Sequence, residues 1–184
     1  MITDLAIRIL QIIFCAVVLG LSIVAVQWQH IGSAPAISTY AAFAGAFGIL
    51  TALVGIAAVW VELLRSVIMM VMDALAAIFL LAGGIAMAVM LKGISCGDLN
   101  DTWNFYLVDG GYKRNGNSYQ VGWAFDIDDE DKAPGLLKGR CQRIEADAAF
   151  MFLGFIVSIG GLVWMYFATR RSFGRTNKTH VTSV

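Results

Sequence analysis

Four long apolar runs, Ala6–Val26, Ala41–Val61, Val67–Leu91 and Ala148–Ala168, decide what this chain can fold into. They are 21, 21, 25 and 21 residues long. A hydrocarbon core about 30 Å thick needs roughly 20 helical residues at about 1.5 Å each. The four runs take nearly half of the 184 residues, and only 14% of the chain is charged. A soluble domain carries about 25%. A soluble globular enzyme is excluded, and no room remains for a second domain. The expected fold is an all-α membrane protein, a four-helix bundle spanning residues 1–169, with a tail at 170–184.

Within the first run, Arg8 precedes the uncharged stretch Ile9–Val26, as in a secretory signal, but that stretch is too long for one, and Asp4 is wrong for its leading segment. We expect a retained helix. Charge placement sets the orientation. Arg170, Arg171, Arg175 and Lys178 lie within a nine-residue stretch just beyond the last run, Arg65 lies in the 2–3 turn, and Arg8 lies at the N-terminus. The 1–2 loop, 27–40, has no Lys or Arg. The 3–4 loop, 92–147, holds seven bases against nine acids when Asp147 at its edge is set aside, but a loop of that length crosses largely regardless of charge. Both termini are therefore expected in the cytoplasm and the long loop outside. Trp28 and Tyr40 on the outer edge, with Trp60, Trp164 and Tyr166 on the inner, agree with this.

Cys96 follows the third run by five residues and Cys141 precedes the fourth by seven. Both fall on the oxidising side, at helix ends that must be neighbours, so a disulfide is expected rather than two free thiols. It would close a loop of 46 residues, worth roughly 4 kcal/mol in the chain-entropy model. Cys15, inside the first run, reads as a small apolar filler. Within the loop, Trp103–Val108 and Ser118–Phe125 are rich in strand formers, and 109–117 is dense in turn residues. A small β-hairpin between helices 3 and 4 is expected, packed on the outer helix ends or on another subunit because an isolated hairpin is marginal. Asn100-Asp101-Thr102 is a glycosylation sequon on the outer side. The run Asp126, Asp128, Asp129, Glu130, Asp131 lacks the glycine an EF-hand needs at its sixth position and reads as a solvated acidic turn.

Chemistry-bearing patterns are sparse. His30 and His180 have no Cys, His or carboxylate cluster near them in sequence, and no nucleotide-binding loop or nucleophile elbow is present. No enzyme activity, metal, cofactor or nucleic-acid partner is expected. Asp73 stands apart, six residues into the third run and about 9 Å from its start. A carboxylate there is costly and is a functional candidate. Gln11 and Arg8 are partners on the same side. Two roles stay open: a structural acid in helix packing, or an ion or proton site in a transporter or channel subunit. Glu145 and Asp147 are read as first-turn acids complementing the dipole of helix 4.

Small residues recur four apart at Ala41/Gly45, Gly48/Ala52, Gly84/Ala88 and Gly154/Ser158. Such spacing lets helices approach closely in lipid, either within one bundle or between copies in a homo-oligomer, and leaves grooves for lipid. The tail cations Arg170, Arg171, Arg175 and Lys178 would favour anionic inner-leaflet lipid by about 1 kcal/mol each.

The long loop lies between spans 3 and 4, which separates the chain from claudin-like proteins, and it lacks the Cys-Cys-Gly of tetraspanins. The span order, with Phe43-Ala44-Gly45-Ala46-Phe47-Gly48-Ile49, Asp73, Ser95-Cys96 and Arg140-Cys141-Gln142-Arg143 running into Ala146 and Ala148-Ala149-Phe150, resembles the MARVEL domain. Within it, the likeness is to the fungal non-classical export proteins of eisosome-type microdomains. The resemblance implies a non-catalytic plasma-membrane organiser that gathers sphingolipid or sterol, meets cytoplasmic eisosome coat proteins, and is linked to sphingolipid-responsive signalling and unconventional export. It makes Asp73 a structural acid. The outer loop, with Trp103–Phe125 as the extra, exceeds the family's usual length.

Overall fold

The computed structural model describes residues 2–58, 67–98, 101–102, 105, 107–115, 118–126 and 130–179. Four helices long and apolar enough to cross a membrane make up the body. They are α1 (Ile2–Gln27), α2 (Ala36–Ala57), α3 (Val67–Leu91) and α4 (Ala133–Thr179). In the resulting ring α1 packs on α2 and α4, and α3 packs on α2 and α4. Each helix buries one stripe and turns the rest outward. On α1 the stripe is Arg8, Gln11, Cys15, Val18, Ser22 and Ala25, at alternating steps of three and four. The outward faces carry Ile13, Phe43, Leu53, Ile78, Val89 and Ile156, each at least half exposed. Polar side chains turned inward among small and apolar ones, with an apolar surface outside, is the pattern of a bundle whose solvent is lipid.

Local signals set the ends. Pro35, which has no N–H to leave unsatisfied, precedes α2, and its carbonyl accepts from the Ser38 and Thr39 amides at 3.0 and 3.2 Å. α2 therefore begins five residues before the apolar run does. After α3 the chain turns at Gly93, where φ is +85°, and the Ile94 amide donates to the Leu91 carbonyl at 3.0 Å. A glycine takes that left-handed conformation without steric cost.

The largest departure from expectation is α4. It starts at Ala133, not at 148, so the connection between α3 and α4 is 92–132. Pro134 sits in the first turn, where its missing N–H breaks no helical bond. The buried residues Ala133, Leu137, Cys141, Ile144, Ala148 and Met151 recur at helical spacing straight through the expected boundary. Charges at Lys138, Arg140, Arg143 and Glu145 lower the local hydropathy without breaking that period. At the other end the α4 backbone continues through Thr179.

A small cap closes one end of the ring. Its hairpin pairs β1 (Tyr112–Asn115) with β2 (Ser118–Val121), antiparallel, with Asn115 opposite Ser118. The hairpin exists, but its first strand is 112–115 rather than 103–108. Phe105, Leu107 and Val108 are instead buried against the bundle, in turns closed by Val108 and Asp109 amides on the Phe105 carbonyl at 2.8 and 3.0 Å. Gly122–Phe125 forms a 3₁₀ turn that buries Trp123. The cap packs on its own chain: Phe105, Leu107, Val108, Trp123 and Leu137 join Met87, Met151 and Cys15 in one continuous apolar core.

Candidate functional site

Four polar side chains at membrane depth, Arg8, Gln11, Asp73 and Ser158, converge at the end away from the cap. Arg8 and Gln11, one turn apart on α1, face inward, and Asp73 of α3 meets them. Arg8 donates Nη1 to Asp73 Oδ1 at 2.5 Å and Nη2 to Oδ2 at 2.6 Å. Nη1 also donates to Gln11 Oε1 at 2.9 Å, and Gln11 Nε2 donates to Ser158 Oγ on α4 at 3.3 Å. Asp73 and Gln11 are fully buried, with Ser158 and Arg8 nearly so.

Helix α2 contributes an absence of side chain. A Cβ at Gly55 would lie 2.5 Å from Arg8 Nε and 2.9 Å from its Cζ, so only glycine leaves the guanidinium its place. On α4 a Cβ at Gly161 would come 3.9 Å from Asp73 Oδ2. All four helices thus enclose one bidentate ion pair. Arginine suits it because its planar fork meets both carboxylate oxygens at once. Of the two partners open from sequence, Arg8 binds Asp73 directly, and Gln11 acts through Arg8.

Of the small residues singled out in sequence, Gly45, Gly48, Ala52, Gly84 and Gly154 turn toward neighbouring helices of the same chain, whereas Ala88 is exposed. A Cβ at Gly45 would lie 2.9 Å from the Leu19 amide nitrogen and 3.0 Å from the Cys15 carbonyl of α1. Gly48 faces the Cys15 side chain, and Ala52 is fully buried. A Cβ at Gly84 would lie 3.3 Å from the Phe152 ring of α4, and one at Gly154 would lie 3.2 Å from Leu80 of α3. Side chains of Arg170, Arg171, Arg175 and Lys178 lie outside the described residues, as do Asn100, Trp60 and His180.

At the cap end, Cys96 and Cys141 form a disulfide, with Cα atoms 5.5 Å apart, tying the exit of α3 to the third turn of α4. Arg140, beside it and 3% exposed, is the cap's central residue. It donates Nη1 to the Val108 carbonyl at 3.1 Å and Nη2 to Asp126 Oδ2, and its guanidinium stacks 5.1 Å over the Trp28 ring. Asp126 Oδ1 meets His30 Nε2 at 2.9 Å. The His30 and Ile31 amides donate to the Gly110 carbonyl at 2.9 and 3.2 Å. Asp126 is therefore a bridge between the 1–2 loop and α4 rather than part of a solvated acidic turn, and His30 has a carboxylate partner 96 residues away. Asp128 and Asp129 lie outside the described residues. Asp109 is half-buried behind this cluster; burial pushes its carboxyl above the usual range, against the Gly111 amide and Arg140, which pull it down.

Asp147 is also corrected. With α4 starting at Ala133 it is not in a first turn; it is 1% exposed in the bundle and accepts from Ser22 Oγ of α1 at 2.7 Å. Sequence reasoning missed Ser22, His30 and Arg140. Ser22 was findable from the α1 stripe and Arg140 from its place beside Cys141. Nothing local in sequence marks His30 or Asp126.

Comparison with known families matches residues 2–164 to MARVEL, described as a membrane-associating domain. No curated protein and no solved structure matches the chain.

Proposed function

Because this chain belongs to the MARVEL family of membrane-associating domains, we propose that it is a non-catalytic organiser of plasma-membrane domains. On this reading it self-associates, gathers sphingolipid or sterol, and keeps both termini in the cytoplasm. The basic tail then meets anionic inner-leaflet lipid and the cytoplasmic coat proteins of eisosome-type microdomains, with a part in sphingolipid-responsive signalling and unconventional export.

The observation that carries the reading is the closed Arg8–Asp73 pair. Both carboxylate oxygens accept from one guanidinium, and side chains of α1 and α4 complete the shell. A transport site needs a charge that can exchange partners; here the charge is spent on holding helices together. The broad apolar outer faces of the helices favour contact with lipid and with other copies over passage of solute.

Native mass spectrometry of the detergent-extracted protein, with lipid identification before and after stepwise delipidation, tests it. A defined oligomer retaining sphingolipid or sterol is expected. A lipid-free monomer would overturn the organiser reading, and ion flux abolished in a folded Asp73→Asn variant would replace it with the transporter reading.

A further inference from the structure

A groove of about 630 Å³ opens between the cap-side ends of α3 and α4, next to the disulfide. Its trough is walled by Ala88 of α3 and by Ala148 and Ala149 of α4, side chains too short to fill the space between the helices. Phe152 closes the deep end, its ring set against Gly84. Two opposite charges stand at the rim. Lys92 is one residue past the end of α3, and Glu145 is three residues before Ala148. Both are exposed, and among the described residues neither takes part in an ion pair within 4.0 Å. Glu145 Oε2 lies 4.0 Å from the Cys96 sulfur, so the disulfide fixes the rim on which both charges stand.

Two unlike charges that share a groove without neutralising each other fit a ligand carrying both signs. An apolar trough running from them along the helices fits a ligand with a hydrocarbon chain. We propose that this groove holds one zwitterionic phospholipid of the cap-side leaflet. Its phosphate sits on the Lys92 ammonium, its cationic amine on the Glu145 carboxylate, and one acyl chain lies in the trough of Ala88, Ala148 and Ala149. An anionic phospholipid satisfies Lys92 but meets Glu145 with like charge. A headgroup without chains leaves the trough empty. The volume is within the roughly 300–1,000 Å³ of ligand sites. This deepens the proposed function and rests on its premise that the bundle's outer faces meet lipid.

The test is native mass spectrometry on the full chain with its disulfide intact, titrated with phosphatidylcholine or phosphatidylglycerol of identical acyl chains. The wild type should bind one phosphatidylcholine about tenfold more tightly than phosphatidylglycerol, the scale of one lost charge-assisted contact. Lys92→Gln should weaken phosphatidylcholine by a similar factor, and Glu145→Lys should reverse the preference. Ala88→Leu with Ala149→Leu, both at exposed positions, should lower retention of either lipid by filling the trough. Each variant must keep the wild-type melting temperature and oligomeric state. Equal retention of the two lipids, unchanged retention in the filled-trough variant, competition by phosphocholine lacking chains, or displacement of lipid by a second copy would each overturn the proposal. An oligomer that binds lipid without headgroup preference sinks the groove alone; a lipid-free monomer sinks the organiser reading with it.

Discussion

Replacing Asp73 by Asn keeps size and shape but removes the anion that neutralises Arg8. Two charge-assisted hydrogen bonds, at 2.5 and 2.6 Å, lose their charge, and one oxygen acceptor becomes an amide donor facing a guanidinium. At roughly 1.5–3 kcal/mol each, the two bonds account for about 3–6 kcal/mol. Removing one partner of a buried pair costs about 3–5 kcal/mol by independent measure, so the figures agree. Asp73→Asn and Arg8→Met should each destabilise the bundle by that amount. The double variant Arg8→Met/Asp73→Leu should recover most of it, since replacing both members of a buried pair with apolar groups is often neutral or stabilising. Cys15 supplies the assay. It is the free cysteine, fully buried under Gly48, so a thiol-reactive fluorophore reports opening of α1 from α2 as the protein is heated. If Asp73→Asn melts like the wild type, or if the double variant is no better than the worse single one, Asp73 is not the counter-ion of Arg8.

Three further outcomes follow from other parts of the molecule. Gly45→Ala should cost about 1–3 kcal/mol, because its Cβ meets α1 backbone that cannot turn aside, whereas Gly160→Ala, with open space around it, should stabilise by up to about 1 kcal/mol through helix propensity; the Cys15 melt would fail to separate them if the close approach were not real. Arg140→Ala should loosen the cap by about 2–4 kcal/mol while α3 stays protected, and Arg140→Lys should not rescue it, because one ammonium cannot reach the Val108 carbonyl and Asp126 while stacking on Trp28. Hydrogen exchange at 112–121 reads this, and unchanged protection there would refute it. Burial raises the Asp109 carboxyl, so folding disfavours its charged form: its contribution to cap stability is fully present below the ordinary carboxylate value of 3.8 and is lost as pH rises through the raised one. Asp109→Asn should therefore flatten the pH dependence of cap exchange in that window, and an identical profile in the variant would remove Asp109 as its source.

Much of the architecture is written in the chain itself. Four runs near 20 apolar residues can only be helices in a bilayer, because length and hydropathy are local properties that no tertiary contact needs to supply. The disulfide followed from the same count, since Cys96 and Cys141 flank helix ends that topology makes adjacent. The α1 stripe from Arg8 to Ala25 and the α4 stripe from Ala133 to Met151 were also present as period, although the charges at 138–145 masked the second from a hydropathy reading. Partner choice was not present. Whether Gly45 and Gly154 serve a second copy or their own chain depends on which way each helix turns, and helical rotation is fixed only when all four pack. The pairing of Arg8 with Asp73 spans 65 residues, and that of His30 with Asp126 spans 96. A hydrogen bond forms across a few ångströms of space, and sequence separation carries no information about that distance until the helices are placed. So the sequence settled that this protein spans a membrane four times, and the tertiary structure decided that its Arg8–Asp73 pair is closed, because only the assembled ring brings a fork-shaped cation onto both oxygens of a carboxylate.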